Sequence, residues 1–387
     1  MRSLIVALII HLTLNVLIFL KGWDVFKARK VFRIPWEIVF VFELLIYIIG
    51  FIFFRHLPSQ IVHPIRMMGT SWMFFLLYLG GLILIFDFLY LVFRRQIARP
   101  KELLNQPKKM KLIVFLSSIV LVASIMYYGG YKFNNPEVQQ INININKSAE
   151  KIESVRIAMI GDLHFGYLIN RDDARRMVDL ILEQKPDLIL FVGDILDSRI
   201  EPILEQKIDE ELSRLHAPLG VFSCTGNHEY RFEAEQKIEF LNNAGIKMLR
   251  DSAVLIDSSF YVVGREDFVY PDRLPLKDIL AQQNVDMSKP VIVLNHSPHD
   301  LDEEVNTGAD IALYGHTHHG QAFPGNIATQ IAFEVAYGYK KKGNTHIYVT
   351  SGLGLVGPQY RVATVSEIVV LNVKFKQAAA TSKIAAA

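Results

Sequence analysis

The sequence predicts an α/β protein whose N-terminal part is a bundle of four membrane-spanning helices. The chain has 387 residues, of which 51% are hydrophobic, and its mean hydropathy of +0.24 is high for a soluble protein. Most of the excess apolar residues fall within the first 130 positions. After them, short apolar runs alternate with helical segments, which is the pattern of an α/β domain.

Four apolar runs in the first part are each close to the roughly 20 residues that a helix needs to cross a bilayer core. They cover residues 4–20, 36–54, 72–93 and 112–128. Prolines punctuate the segments between the runs, and Trp36 and Trp72 begin two of them, as interfacial aromatic residues do. Residues 1–130 are therefore predicted to form a transmembrane domain.

Basic residues concentrate in the first and third loops of this domain. The first loop holds five between Lys21 and Arg33, the third holds seven between Arg94 and Lys111, and the second holds two. By the positive-inside rule, the first and third loops are cytoplasmic. The sequence thus predicts an integral, multi-pass membrane protein, with everything after residue 130 outside the cytoplasm.

Asn15, Glu43 and Asp87 are polar residues within the apolar runs. Counting 1.5 Å per residue from the ends of the runs puts the three at similar depth. Intramembrane carboxylates are costly and point to a functional role by default. The interpretation favoured here is an interhelical hydrogen-bonded cluster that holds the bundle together.

Charge and cysteine content exclude several classes of protein. The 41 Lys and Arg residues nearly balance 39 Asp and Glu, and the net charge of +2 argues against a nucleic-acid binder that relies on a basic surface. A single cysteine, Cys224, excludes an internal disulfide framework and a Cys-rich zinc site. A metal site in this chain would use His, Asp, Glu or Asn.

The second part of the chain has a predicted order of strands and helices. Residues 131–154 are predicted to hold a linker and a first strand, because Ile and Asn alternate from 141 to 146. Helices are predicted over 171–184, 202–215 and 234–244. Strands are predicted over 155–160, 187–192, 219–223, 253–256, 261–263, 291–294, 311–313, 347–350 and 367–373. The Ala-rich end, residues 377–387, is predicted to be a flexible tail.

Metal-competent side chains follow five of these strands. They are Asp162 and His164, Asp194, Asn227 with His228 and Glu229, His296, and His316 with His318. Because ligands bind beyond the carboxyl ends of strands in open α/β sheets, these clusters are expected to meet in one crevice. Such side chains suit two ions of Mn²⁺, Zn²⁺ or Fe, with Asp194 as a candidate bridge. Two neighbouring ions stabilise the attacking and leaving oxygens of a phosphoryl transfer.

The ordered set Asp-x-His, Gly-Asp, Gly-Asn-His-Glu, Asn-His and Gly-His-x-His resembles the calcineurin-like metallophosphoesterases. The resemblance covers about residues 155–373. Within the family, residues 315–321 and 351–354 are similar to a membrane-anchored bacterial branch. The resemblance implies a four-layer α/β/β/α sandwich over residues 155–376, following the transmembrane domain.

The resemblance also implies a role for each residue. One ion would be held by Asp162, His164, Asp194 and His318, and the other by Asp194, Asn227, His296 and His316. A hydroxide bridging the ions would attack phosphorus, with His228 as general acid and Glu229, where the family usually has Asp, orienting its imidazole. His319 and Arg361 are weaker candidates for substrate contact, with a structural role as the alternative.

The predicted function is that of a membrane-anchored phosphohydrolase with two divalent ions, acting on phosphodiesters of membrane lipids or envelope components. Membrane lipids are the expected partners. One alternative is an enzyme for soluble phosphoesters such as nucleotides, and the other is a non-catalytic, metal-dependent membrane sensor or binding protein. The segment Gly264–Lys289, with Phe268, Tyr270 and Leu274, is the predicted cap over the site. Diester or monoester specificity and oligomeric state stay open.

Overall fold

The computed structural model describes residues 2–52, 57–93, 107–197 and 199–377. The chain divides into two compact units, of which the first is Met1–Tyr131 together with Gly357–Tyr360 and the second is the remainder. The end of the predicted second span at residues 53–54, most of the third basic loop and the predicted tail beyond Gln377 lie outside the described residues.

Helices make up the N-terminal part of the described chain. They are α1 Arg2–Phe26, α2 Lys30–Ile52, α3 Ser59–Phe93 and α4 Pro107–Asn134. Three described segments are long and apolar enough to cross a membrane, namely Leu8–Phe26, Ser59–Phe93 and Lys109–Asn134. Helix α2 has 23 residues but carries Lys30, Arg33, Glu37 and Glu43. Three of the predicted crossings are thus matched among the described residues, and the fourth is not confirmed.

The predicted cluster of Asn15, Glu43 and Asp87 does not form. Asn15 Oδ1 accepts a hydrogen bond from Trp72 Nε1 at 3.0 Å, whereas Asp87 pairs with Lys21 at 2.6 Å. Glu43 lines a cavity together with Trp72. Trp72 and Asp87 are about 22 Å apart along α3 at 1.5 Å per residue, so the prediction of a common depth is wrong.

Two six-stranded sheets form the described part of the second unit. The first contains β1 Glu137–Ile145, β2 Ser154–Ile160, β3 Leu188–Phe191, β4 Val221–Ser223, β5 Lys247–Met248 and β12 Glu367–Phe375. The second contains β6 Ser252–Ile256, β7 Phe260–Gly264, β8 Val291–Leu294, β9 Ile311–Tyr314, β10 Gly338–Lys342 and β11 Thr345–Val349. The alternating Ile and Asn residues predicted to form a first strand thus belong to the first sheet, through β1.

Both sheets are mixed, with parallel strands at their centres. The first sheet has the order β1-β12-β2-β3-β4-β5, in which β2 to β5 are parallel and β12 is antiparallel to β2. The second has the order β10-β11-β9-β8-β7-β6, in which only the edge strands β10 and β6 pair antiparallel. Every predicted metal motif follows a parallel strand, so the motifs emerge at carboxyl ends of strands.

Seven α-helices accompany the sheets in the described part of this unit. They are α5 Arg171–Glu183, α6 Glu201–Glu205, α7 Ile208–Leu212, α8 Ala234–Asn243, α9 Leu276–Gln282, α10 Asp302–Thr307 and α11 Gly325–Ala332. Helix α5 begins at a capping box, in which Asn170 accepts from the backbone of Asp173 and Asp173 accepts from Asn170. The helix predicted over 202–215 is broken into α6 and α7, because Lys207 adopts a left-handed conformation with φ +54°.

Three hydrophobic interfaces, one between the two sheets and one between each sheet and its helices, hold these elements together. Between the two sheets, Ile157 and Leu371 of the first pack with Ile292 and Leu313 of the second, all fully buried. Helix α5 packs on the outer face of the first sheet, and α9 packs on the outer face of the second. The layering is therefore α/β/β/α, in agreement with the expectation. Each fully buried aliphatic side chain contributes about 1.5–3 kcal/mol to folding.

Candidate metal centre

One group of four side chains gathers beyond β2, β3 and β9. His164 Nε2 lies 3.1 Å from His318 Nε2. Asp162 Oδ1 lies 3.8 Å from His164 Nε2 and 3.5 Å from His318 Nε2. Asp194 Oδ2 completes the group at 3.7 Å from His164 Nε2. These are the four residues assigned by resemblance to the first ion.

A second group shares Asp194 with the first. His296 Nε2 lies 3.1 Å from Asp194 Oδ2 and 3.2 Å from Asn227 Oδ1. His316 Nδ1 lies 3.0 Å from Asn227 Oδ1 and 3.3 Å from His296 Nε2. Asp194 therefore lies between the groups, in the place that a bridging ligand needs. The other nitrogen of His296 is 2.7 Å from the carbonyl of Val192, which fixes the ring.

The donor atoms fit divalent cations. Two ligand atoms bound to one ion at about 2.0–2.2 Å lie about 3–3.6 Å apart, close to the separations found in both groups. Burial favours the neutral form of Asp162, but His318 and His164 outweigh it and lower the pKa of that carboxyl to about 2. Burial lowers the pKa of His318. Burial also acts to lower the pKa values of His164 and His296, but the neighbouring carboxylates outweigh it and raise them, so metal binding at these rings would release protons. Ionised carboxylates and neutral imidazoles are the forms that bind metal.

The backbone at these ligands is strained. Asp162, His164, Asp194, His316 and His318 all have left-handed φ angles, between +48° and +69°. A residue other than glycine held in this conformation costs about 1–3 kcal/mol, and such strain concentrates at functional sites. In this backbone conformation, the five side chains point from the ends of their strands into one shared space.

Two glycines let the groups approach one another. A Cβ atom at position 226 would lie 2.2 Å from Asp194 Oδ1, and one at position 315 would lie 2.6 Å from Asp162 Oδ2. Both positions therefore require Gly226 and Gly315, as a strand-end turn around ligands demands.

His228 stands at the edge of the centre, with its ring centroid 4.5 Å from that of His164. Its backbone N–H donates to Asp194 Oδ1 at 2.8 Å, and its Nδ1 lies 2.6 Å from Asp197 Oδ1. The predicted orienting residue was Glu229, and this prediction is wrong. Glu229 is fully buried, and its carboxylate accepts hydrogen bonds from three backbone N–H groups, those of Asp194, Leu196 and Gly226. Glu229 shapes the loops that carry ligands, while Asp197 holds the imidazole.

Arg361 is a structural residue. It is fully buried, and its guanidinium donates to the carbonyls of His318, Ser351, Gly352 and Gly354. Its weak assignment to substrate binding is therefore wrong, because its donors are used on backbone carbonyls of the turn that carries His318. His319 is half-buried, with its ring stacked on Tyr337 at 4.5 Å, and its predicted contact with substrate stays a prediction.

Two features of the centre were not predicted from the sequence. The first is Asp197, three positions after Asp194, where a second carboxylate in the same strand-end loop was the available signal. The second is an aromatic wall of Phe268, His299 and Phe333. The His299 ring lies 5.3 Å from Phe268, 5.2 Å from Phe333 and 6.0 Å from His316. Within the predicted cap, Phe268 thus contacts His299 of this wall, whereas Tyr270 packs on Tyr230.

Comparison with known proteins identifies the family. The family model for calcineurin-like phosphoesterases matches residues 155–320. An uncharacterised metallophosphoesterase of Aquifex aeolicus is 32% identical over 62% of this chain and 92% of its own length. A Campylobacter jejuni metallophosphoesterase, also uncharacterised, is 30% identical over 69% of this chain and 71% of its own. The chain belongs to the calcineurin-like metallophosphoesterases and is a metal-dependent phosphoesterase.

A relative with a membrane part is found in an animal. The transmembrane protein with metallophosphoesterase domain of Danio rerio is 29% identical to this chain. The aligned region covers 67% of this chain and 62% of the length of the Danio rerio protein. Together with the three apolar segments, this relative supports a membrane protein.

Proposed function

We propose that this chain is a membrane-anchored phosphohydrolase that cleaves a phosphoester of the membrane lipids, with its catalytic unit outside the cytoplasm. The observation that supports this proposal most directly is helix α11, which exposes two isoleucines and follows shortly after the turn that carries His318. The side of the membrane follows from the basic residues of the first and third loops, by the positive-inside rule.

Different residues of the chain would bind the metal ions, donate the proton and position the ligands. The ligands of two divalent ions would be Asp162, His164, Asn227, His296, His316 and His318, with Asp194 common to both. When bound, such ions activate water and neutralise charge on the phosphoryl oxygens. His228 uses Nδ1 toward Asp197, which leaves Nε2 to donate a proton to the departing oxygen. Glu229 keeps Asp194 in place through the backbone of the loops.

Helix α11 exposes two isoleucine side chains between polar residues. None of its residues is buried, and Ile327 and Ile331 are 46% and 82% exposed. Phe323, just before the helix, is 49% exposed. Ile327 and Ile331 are four residues apart and therefore lie on one face of the helix. An exposed apolar face is typical of membrane or ligand contacts.

The apolar helix is held close to the centre. A Cβ atom at position 320 would lie 2.0 Å from the carbonyl carbon of Gly325, so the turn after His318 and the first residue of α11 are in direct backbone contact. The aromatic wall adds a second apolar surface next to His316. Acyl chains of a lipid substrate would pack against these surfaces while its phosphate reaches the ions.

The direct test is ³¹P NMR of a total membrane-lipid extract incubated with the Mn²⁺-loaded full chain. New phosphorus signals with the wild type, absent with Asp194→Asn, are the expected result and identify the bond that is cut. An unchanged lipid spectrum from protein that hydrolyses an aryl phosphodiester would move the substrate to the aqueous phase.

A second test separates the apolar helix from the chemistry. Ile331→Asp should lower turnover of the lipid by about tenfold, the order expected when one exposed isoleucine no longer contacts acyl chains, and leave turnover of a soluble aryl phosphodiester unchanged. The matched control is Leu204→Asp on α6, where Leu204 is 53% exposed. Equal loss on both substrates, or equal loss in the control, would contradict the role of α11.

A further inference from the structure

A cavity of about 390 Å³ lies within the first unit. Its apolar lining comes from α3 and α4 and includes Met67, Met68, Phe75 and Met126, while α2 contributes Glu43. Its volume falls within the range of small-molecule sites, which are mostly apolar with a few polar groups. Methionine side chains adapt to the shape of a ligand, so this lining suits flexible hydrocarbon.

Glu43 is the charged group of this cavity. Its Oε2 atom is buried and has no hydrogen-bond partner among the described residues. The other described carboxylates of the first unit all have cationic partners, with Asp24 paired to Lys27 and Lys111, Glu37 to Arg33, and Asp87 to Lys21. A carboxylate in an apolar site is costly unless it is paired. Glu43 therefore lacks the cation that its counterparts have.

The other polar groups of the cavity are already in use, and one of them, Trp72 Nε1, donates a hydrogen bond to Asn15 Oδ1. Ser71 Oγ accepts a hydrogen bond from Tyr360 Oη at 3.0 Å, and both residues belong to the first unit. Glu43 is thus the group that remains to recognise a polar ligand atom.

The position of the cavity along α3 matches the level of lipid headgroups. Residues 59–71 of this helix include His63, Arg66 and four hydroxyl or amide side chains among apolar ones, whereas residues 72–93 form an apolar run interrupted by Asp87. Trp72, which lines the cavity, stands at this boundary, where amphipathic aromatic rings concentrate in membrane proteins. A charged headgroup and the start of an acyl chain meet at the same level.

We propose that this cavity binds a lipid with a primary-amine headgroup, whose ammonium group pairs with Glu43 and whose hydrocarbon lies along the methionines. The site does not depend on the proposed phosphohydrolase function. The amine supplies the missing cation, and the lipid form supplies the apolar contact that a free amine lacks.

The test is native mass spectrometry of the full chain in detergent with phosphatidylethanolamine and phosphatidylglycerol of identical acyl chains. We expect the wild type to retain the amine lipid preferentially and Glu43→Gln to retain it about ten- to a hundredfold less, as expected for one lost charge-assisted hydrogen bond. The matched control on the same helix is Glu37→Gln, which should keep the preference. No preference in the wild type, or the same preference in Glu43→Gln, would overturn the site.

Two further ligands test separately whether the cavity recognises the ammonium group and the acyl chains of the lipid. Phosphatidylethanolamine acetylated on its amine should lose the preference in the wild type, and equal retention would overturn the role of the ammonium group. Glycerophosphoethanolamine, which has the amine without acyl chains, should not displace the lipid, and displacement at equal concentration would overturn the lipid assignment. Hydrolysis of an aryl phosphodiester by Glu43→Gln should equal that of the wild type, which also verifies folding.

Discussion

His228 Nδ1 lies 2.6 Å from Asp197 Oδ1, so the imidazole at the edge of the metal centre is held by a carboxylate outside the recognised motifs. Burial lowers the pKa of His228, while Asp197 opposes this by favouring the protonated ring. Asp197→Asn should therefore lower the pKa of His228 further. Because a general acid acts in its protonated form, the alkaline limb of the activity profile should move to lower pH.

The measurement is the pH dependence of kcat/KM on an aryl phosphodiester with Mn²⁺, where we expect a loss of about 10- to 100-fold near neutral pH. Metal content should be unchanged. Asp209→Asn, on the exposed surface of α7, is the control. If both variants gave the wild-type profile, the pair would have no part in proton transfer.

Glu229→Gln should destabilise the protein without moving the pH profile. The amide nitrogen would face backbone N–H groups that the carboxylate now satisfies, and each orphaned buried donor costs about 1–3 kcal/mol. Thermal unfolding of the detergent-solubilised chain would show a lower Tm. A shift of the alkaline limb like that expected for Asp197→Asn would instead restore Glu229 as the residue that orients His228.

Asp194→Asn and His228→Ala should both lower activity but differ in their metal content. Asp194 contacts both ligand groups, so its amide variant should lose bound metal and activity together. His228→Ala should keep its metal and lose about 10²–10⁴-fold in kcat, the usual contribution of general acid–base catalysis. Metal analysis by mass spectrometry combined with kcat distinguishes the two. Full metal retention in a folded, inactive Asp194→Asn would contradict the bridging position.

Metal removal should lower the stability of the wild type. Five candidate ligands hold left-handed backbone conformations, and the buried carboxylates Asp162 and Asp194 lie close together. A ligand that binds only the folded state raises its stability by mass action. The Tm should fall on treatment with EDTA and recover with Mn²⁺, whereas Asp194→Asn should respond much less. An equal response of the two proteins would place the stabilising ion elsewhere.

Arg361→Gln should lower the Tm and leave the KM for an aryl phosphodiester unchanged. The guanidinium gathers carbonyls around the turn of His318, and glutamine cannot reach the same set with one amide. A raised KM with an unchanged Tm would support the original assignment of Arg361 to substrate contact.

The strands and the motifs at their ends could be predicted from sequence because both are local patterns. An apolar run such as Leu188–Phe191 followed by Gly193 and Asp194 identifies a buried strand and the position of a ligand together. The hydrogen-bond partners of a side chain depend on the tertiary structure and could not be predicted from such local patterns. The order of residues suggested that Glu229 serves its neighbour His228, yet its carboxylate turns to the backbone of the preceding strand-end loop.

The break between α6 and α7 has a similar cause. The apolar spacing from Ile203 to Leu215 favours one helix, and no proline or glycine interrupts it. The left-handed Lys207 is imposed by packing, which lets Ile203 and Ile208 both reach the same core. Only the folded environment contains that information.

Tyr360 and Arg361 are consecutive residues that serve different parts of the molecule. Tyr360 hydrogen-bonds Ser71 and packs its ring 5.0 Å from Phe74 within the first unit, whereas Arg361 is fully buried and holds the turn of His318. A soluble fragment starting at Lys132 would retain every metal ligand yet leave residues 357–360 without their packing partners. Rates measured on such an excised enzyme would describe a protein with a loosened segment next to Arg361, so biochemical work should use the complete chain in detergent or lipid discs.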